Sequence, residues 1–539
     1  MATRPGAMAM APEPTIAART LGALVEETAA ARGNGPAVYF EDRTVTWSEL
    51  RERTAAVARG LPALGVERGD RVAVLFGNRP EWLFAALGAA SVGAVVVPLN
   101  TWYRERELRW TIAHCGVSVA ISADRFLGER YGELFARLLE EGELRAAVID
   151  GATPGATIGW DELLACGGRG GDVLAARRAE VDGEDTAFIL YTSGSSAEPK
   201  GVRLLHAGLI ENGVAIAARR RIVPEDRIWL GSPLFYGLGA ANALPVALTT
   251  GAALVLHDSF SAERALEAIE RRRATVYYGT GNMTRAMLDH PSFSRTQVAS
   301  LERGLAGLGP DYRRLTILEL GVEGATPAYG LTESYGHATG GRPEDPLAAK
   351  LETDGEPLPG VEIEIVDPET RRLLPRGDVG LILLSGRITP GYHRNPEGTA
   401  LANLPDGRFD TGDLGLIDAA GRLVFRSRLK DVIKSGGINV SPLEVEQLIL
   451  EHPDVRSAYV VGVGDHVRGE AMVAFVDSRG ALEPADVQAF VKRRAASFKV
   501  PHHVLPCDEE EVPRLAGGKV ARRELVERAE RELKHGGVA

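Results

Sequence analysis

The sequence predicts an α/β fold with parallel strands, then a β-rich stretch, then a small C-terminal domain. Three observations carry this reading. Two uncharged stretches, Trp82 to Tyr103 and Ile228 to His257, each run from an apolar helical segment through a glycine into a short strand. A helix–glycine–strand unit repeated in this way marks parallel sheet covered by helices. From Gly355 to about Val424 the texture changes to short strands separated by Gly and Pro turns. After Lys430 a compact run of helix, two strands and helix follows.

Each element has a local cause. Arg71 to Phe76 reads as a strand. Ser261 is a candidate N-cap for a helix from Ala262 to Arg273, which leads into a strand at Thr275 to Tyr278. Val361 to Val366 alternates apolar and acidic residues, as a half-buried strand should. Ser441-Pro-Leu-Glu444 is a capping box with proline at the first helical position, so a helix starts at Pro442. Strands at Ala458–Gly462 and Ala471–Val476 and a helix from Pro484 complete the tail.

Composition bounds the function classes. The 539 residues suggest three or four units at about 150 residues each. A formal net charge of −11 argues against a dedicated nucleic-acid binder, and 45% apolar with 25% charged residues excludes disorder as the main state. Cys115, Cys166 and Cys507 are too few and too scattered for a disulfide framework or a structural zinc site, so a cytoplasmic setting is expected. Residues 1–14, rich in Met, Ala and Pro, lack the apolar core of a signal peptide and read as a loose N-terminus. The glycine and proline breaks inside the two uncharged stretches argue against membrane spans.

The clearest chemical motif lies at Thr186 to Gly201. A buried strand, Thr186 to Tyr191, runs into Thr192-Ser-Gly-Ser-Ser-Ala-Glu-Pro-Lys-Gly201. Small residues let backbone N–H groups approach phosphate oxygens, hydroxyls donate further bonds and Lys200 adds charge. The spacing is not that of a Walker A loop. Read alone, the segment fits a flexible surface loop as well as a phosphate cradle.

This loop resembles that of the adenylate-forming enzymes: acyl-CoA synthetases, peptide-synthetase adenylation domains and luciferases. Ser196 replaces a threonine and Ala197 a glycine of the usual pattern. The other family motifs follow in order. They are Gly93 to Asn100, Tyr329-Gly-Leu-Thr-Glu-Ser334, Gly391 to Gly398, Thr411-Gly-Asp413, Arg426 to Asp431, Ser435 to Glu444 and Pro513 to Arg522. Their style is closest to free-standing acyl- or aryl-CoA ligases.

The resemblance implies a fold and a set of roles. It implies two α/β subdomains plus a small β-barrel-like subdomain over residues 15–428, a hinge at 429–431, and a small mobile α+β domain over 432–539. ATP would be held by Thr192, Ser193, Gly194, Ser195, Ser196, Lys200, Tyr329, Gly330, Thr332, Asp413, Arg428 and Lys519. Glu333 would hold Mg²⁺ and Thr332 would contact the α-phosphate; Asp413 would accept both ribose hydroxyls and Arg428 would reach ribose and α-phosphate. Lys519 would serve adenylation, Lys430 would be the hinge, and Ser435, Gly436 and Gly437 would line the passage of CoA or a carrier-protein phosphopantetheine. The implied reaction makes an acyl-adenylate and pyrophosphate, then passes the acyl group to a thiol and releases AMP.

Three further departures lie around the acyl pocket and the adenine wall. Tyr236 stands where CoA ligases usually carry histidine, Gly279-Thr-Gly281 replaces Gly-Val-Pro, and Ala306-Gly-Leu-Gly-Pro310 replaces Gly-Gly-Ala-Pro. Tyr236, Gly237, Gly279, Gly307 and Gly309 are therefore the candidate substrate pocket. Transfer to a carrier protein, nitrite-dependent diazotisation of an aromatic amine and an inactive nucleotide-binding scaffold remain as alternatives. The expected partners are a small carboxylic acid, ATP and CoA, with no nucleic acid and no membrane, for a monomer or homodimer.

Overall fold

A computed structural model describes residues 16–166, 171–192, 199–307, 309–435, 438–465, 469–495, 497–514 and 520–535. The stretch 1–14 lies outside the described residues. The chain divides into two compact units. One comprises Met1–Glu362 with Gly386–Asn403, and the other Ile363–Ser385 with Leu404–Ala539.

The first unit holds two seven-stranded sheets of matching design. One runs, edge to edge, through Lys200–Leu205, Thr186–Thr192, Val95–Pro98, Arg71–Leu75, Val117–Ala123, Ala146–Asp150 and Ile158–Gly159. The other runs through Gly324–Thr326, Arg303–Leu305, Val276–Tyr278, Arg227–Leu230, Ala253–Leu256, Pro36–Phe40 and Arg43–Thr46. Both are parallel except for one antiparallel edge pair. This is the α/β organisation expected from the repeated helix–glycine–strand units.

Those units appear as predicted. The helix Pro80–Ser91 is buried all round, which is why its sequence lacks an amphipathic pattern. Gly93, at φ 76°, turns the chain into Val95–Pro98. In the second stretch a strand, Arg227–Leu230, comes first, and the helical part begins as a π-type turn at Leu238–Ala243 before Leu244–Thr250. Gly251, at φ 75°, caps that helix and leads to Ala253–Leu256. Among the described residues no helix is long and apolar enough to cross a membrane.

Val361–Val366, Gly380–Gly386, Phe409–Ile417 and Leu423–Arg428, which belong to the second unit except at Val361, Glu362 and Gly386, form the four-stranded sheet of the β-rich stretch. The C-terminal part pairs Val455–Asp465 with Gly469–Ser478, flanked by the helices Pro442–Leu450, Pro484–Arg494 and Arg522–His535. Ser441 caps its helix by accepting from the Glu444 N–H at 3.4 Å. The reciprocal arm differs from the sequence expectation: the Glu444 carboxylate takes a bond from Lys499 at 2.5 Å instead. A charged donor binds a carboxylate more strongly than a backbone amide does.

Candidate active site

The strand ends on either side of the candidate phosphate loop are paired. Thr192 and Lys200 face each other in the antiparallel ladder, which fixes where Lys200 leaves the sheet. Ser193, Gly194, Ser195 and Ser196 lie outside the described residues. The Lys200 ammonium sits over the Tyr392 ring, 4.8 Å from its centroid. Tyr392 reaches this place because residues 391–393 run along the strand Lys200–Leu205. The His393 N–H donates to the Gly201 carbonyl at 2.7 Å, and Val202 bridges Tyr392.

The acidic motif forms a single 3-10 turn, Thr332–Ser334. Its sequence sets its shape. Ser334 Oγ accepts from the Leu331 N–H at 3.0 Å, and Tyr335 then closes the turn at φ 58°. A non-glycine residue in this left-handed region is strained and persists only where its surroundings fix it. They do: the Tyr335 carbonyl accepts from Asn212 at 2.7 Å and Asn242 at 2.9 Å, and its hydroxyl from the Leu205 N–H at 3.3 Å. A Cβ on Gly208 would lie 2.2 Å from the Tyr335 ring, so glycine is required there for the ring to pack. A Cβ on Gly330, just before the turn, would lie 2.3 Å from the Gly336 carbonyl.

This turn aims Glu333 at Tyr392, the neighbour of Lys200. Glu333 Oε1 accepts from the Tyr392 hydroxyl at 2.8 Å, and the Glu333 carbonyl accepts from the Thr389 N–H at 2.7 Å. Lys200, Tyr392 and Glu333 thus form one cluster. Sequence reasoning placed Tyr392 only inside a structural motif. The signal that marks it is an aromatic residue beside a glycine at φ 134°, and that signal is weak on its own.

The candidate substrate-pocket residues come from a different set of elements. The Tyr236 hydroxyl accepts from Asn100 Nδ2 at 3.2 Å, and Asn100 Oδ1 accepts from the Trp102 N–H at 2.8 Å. The Tyr236 ring lies 5.7 Å from Trp102 and 4.7 Å from Phe235, centroid to centroid. Burial, with the Tyr103 phenol beside it, pushes the Tyr236 hydroxyl above its ordinary range, so it stays protonated. Gly237 joins this region to the acidic turn: a Cβ there would sit 3.7 Å from Thr332 Oγ1. The groups at Gly279 are Tyr277 and Trp229, which fill the space a side chain would need.

Two of the departures meet in one contact. A Cβ on Gly281 would fall 1.9 Å from Tyr312 Cδ1, and a Cβ on Gly307 would fall 3.1 Å from Tyr312 Cβ. The Tyr312 ring therefore lies where the family's proline would stand. Its hydroxyl donates to Asn282 at 2.8 Å. Gly309, at φ 85°, starts the short helix Pro310–Arg314 that carries it.

In the second unit, Asp413 and Arg428 are direct partners in the antiparallel ladder. Arg428 Nε lies 3.3 Å from Asp413 Oδ1, and Asp413 is almost fully buried. The Asp413 N–H donates to Thr411 Oγ1 at 3.0 Å, and Thr411 Oγ1 donates to the Ile382 carbonyl at 2.7 Å. Lys430 sits in the single turn Leu429–Asp431 that follows. Ser435 ends the strand Ile433–Ser435. Gly436, Gly437 and Lys519 lie outside the described residues.

Known proteins match this arrangement along nearly the whole chain. A family model for AMP-binding enzyme matches residues 25–393, and one for AMP-binding enzyme C-terminal domain matches residues 444–519. The chain is 36% identical to 3-[(3aS,4S,7aS)-7a-methyl-1,5-dioxo-octahydro-1H-inden-4-yl]propanoyl:CoA ligase of Mycobacterium tuberculosis, over 94% of this chain and 99% of that protein. ATP-bound MatB from Rhodopseudomonas palustris superposes with a TM-score of 0.82 at 28% identity, covering 95% of this chain and 99% of that one. A benzoate CoA ligase from Burkholderia xenovorans superposes with a TM-score of 0.80 at 26% identity, covering 94% and 99%. The chain belongs to the AMP-binding enzyme family. Within it, the chain is an AMP-forming acid–CoA ligase: ATP activates a carboxylic acid as the adenylate, and CoA takes the acyl group.

Proposed function

We propose that the acid is apolar and ring-bearing, with no charge beyond its carboxylate. The observation that carries this is the setting of Tyr236. Asn100, Trp102, Tyr103 and Phe235 are its neighbours, and none of them is charged. A second carboxylate on the substrate would find no cation there to offset its desolvation. Trp102, 44% exposed, offers an open aromatic face beside Tyr236 against which a ring can stack. The Mycobacterium relative acts on a propanoate that carries a fused ring system, which fits the same chemistry.

The rest of the machinery follows the family pattern. Thr192 and Lys200 take phosphate oxygens with the loop between them, and Thr332 takes the α-phosphate. Asp413 accepts the ribose hydroxyls with Arg428 beside it. Glu333 suits Mg²⁺, because its Oε1 takes the Tyr392 hydroxyl and its other oxygen is a hard anionic donor. One carboxylate completed by phosphate oxygens and water is the donor set that Mg²⁺ takes in nucleotide sites. When bound, the cation would offset charge on the phosphates. Lys519 stabilises the charge that builds as the carboxylate attacks the α-phosphate. Lys430 is the hinge on which the C-terminal domain turns, so that Ser435, Gly436 and Gly437 replace Lys519 and admit the pantetheine arm.

The test is pyrophosphate release with CoA present across a panel of acids. Cyclic and aryl-alkyl propanoates should give the highest kcat/KM, with malonate and succinate the lowest. A preference for a dicarboxylate would overturn the reading.

A further inference from the structure

We propose that Tyr392 is a positioning residue that couples the phosphate-loop lysine to the metal-holding carboxylate. The inference rests on the reading of Glu333 as the Mg²⁺ ligand. One side chain touches both groups. Its hydroxyl donates to Glu333 Oε1 at 2.8 Å, and its ring carries the Lys200 ammonium at 4.8 Å. An ionised carboxylate is acceptor-only, so the shared proton belongs to the phenol. The bond occupies one carboxylate oxygen and leaves the other for a cation.

Tyr392 is itself held firmly. It is buried, with 8% exposure, and its N–H donates to Thr399 Oγ1 at 2.9 Å. The Arg203 N–H donates to the Gly391 carbonyl at 3.2 Å, which ties the preceding residue to the same strand as Lys200. Gly391 is needed for this approach, because a Cβ there would meet Thr399 Cγ2 at 2.4 Å. The Thr389 hydroxyl adds a bond to the Arg203 carbonyl at 2.7 Å, while its N–H holds the Glu333 backbone.

The physical consequence is preorganisation. Lys and Glu are rotamer-rich, and freezing them at the moment of binding weakens binding. The phenol fixes the carboxylate before a cation arrives, and the ring face attracts the ammonium by its quadrupole. The ammonium over the ring also draws electron density from the phenol and strengthens its O–H as a donor. Lysine and carboxylate are therefore set in one geometry relative to each other, although 133 positions apart by numbering.

The test uses Mn²⁺ as the probe, followed by the paramagnetic signal of the free ion. Full-length enzyme is held in excess over α,β-methylene ATP, so the measurement needs no turnover. Tyr392→Phe keeps the ring and removes the hydroxyl; it should weaken Mn²⁺ binding about 10-fold, the usual loss for a partner behind a metal ligand. Its metal-free affinity for the analogue should stay at the wild-type value, so that the loss is confined to the metal, which a merely structural role would not predict. Tyr392→Leu should also weaken metal-free nucleotide binding, through Lys200. Glu333→Gln is the control. Loss of the Mn²⁺ site in Glu333→Gln together with wild-type Mn²⁺ binding in Tyr392→Phe would overturn the role of Tyr392 alone. Wild-type Mn²⁺ binding in Glu333→Gln would overturn both readings. If Tyr392→Leu fails to fold, the Tyr392→Phe result still decides.

Discussion

The candidate nucleotide end and the candidate acid end of the first unit are built by different means. At the candidate nucleotide end, Tyr392 bonds Glu333 through its hydroxyl and carries Lys200 over its ring, and the strained φ of Tyr335 is held by two buried asparagines. At the candidate acid end, Tyr236 has one side-chain amide partner and otherwise ring contacts, and the Tyr312 ring lies against Gly281 with one bond from its hydroxyl to Asn282. Directed networks tolerate little change, because each lost bond leaves a buried polar partner unsatisfied. Ring packing gives way more easily and can be refitted to a new shape. The departures at Tyr236, Gly281 and Ala306–Pro310 fall at the end that can absorb them, while those in the loop, Ser196 and Ala197, exchange one small residue for another. Changes at the nucleotide end should therefore lower activity with every acid, while changes at the acid end should alter which acid is preferred.

The largest effect should come from Lys519, the proposed adenylation lysine. Lys519→Ala should lose about 10²- to 10³-fold in pyrophosphate exchange, as removal of one transition-state donor typically does. The loss should be the same for every acid, and conversion of supplied acyl-adenylate to thioester should survive. Equal loss in both half-reactions would break the two-step assignment. At the other end, Tyr236→Phe should raise the barrier by about 1–3 kcal/mol, the penalty for a buried partner left unpaired. The loss should depend on the acid, with KM for ATP unchanged. A large loss of ATP affinity would move Tyr236 to the nucleotide end.

Acid should loosen the support of the nucleotide end. His206 starts the helix His206–Arg220 that supplies Gly208 and Asn212 to Tyr335. Its Nδ1 accepts from the Leu21 N–H at 3.1 Å, and burial pushes its pKa down to about 4. The unfolded chain binds this proton near pH 6.5, so stability is full above that value and falls as pH drops toward 4. Between pH 7 and pH 5 the loss should be about 2 kcal/mol by linkage. Denaturant titrations at the two pH values check this, and His206→Asn, which keeps an acceptor, should flatten the dependence.

The smallest effect should come from restoring a family residue. Gly281 is the first residue of the helix Gly281–Leu288, a position that accepts proline readily. Gly281→Pro should therefore be disfavoured mainly by Tyr312, whose half-exposed ring must turn aside at about 1 kcal/mol. KM for the acid should rise a few-fold and return toward wild type in Gly281→Pro with Tyr312→Ala. Failure of the second change to rescue the first would show that the two departures are independent.

What the sequence shows and hides follows from distance along the chain. The strand Thr186–Thr192 with its loop, the helix–glycine–strand units and the Ser441 cap are written in adjacent residues, and local patterns read them. Asp413 and Arg428 were legible as motifs, and their pairing follows from one antiparallel turn. The Tyr392 bond to Glu333 spans 59 positions, and no local pattern encodes it. Tyr335 carries a left-handed φ with no glycine to announce it. The Tyr312 ring against Gly281 was hidden because each departure is meaningful only beside the other. Even the Glu444 arm of the capping box was lost to Lys499, a partner 55 positions away.

The separation of the two ends is tested most directly by one measurement: kcat/KM for a fixed panel of acids in wild type, Tyr392→Phe and Tyr236→Phe, at saturating ATP and limiting Mg²⁺. The account predicts that Tyr392→Phe lowers every acid by the same factor and keeps their rank order, while Tyr236→Phe changes the order. A reordered panel in Tyr392→Phe, or a uniform loss in Tyr236→Phe, would contradict it.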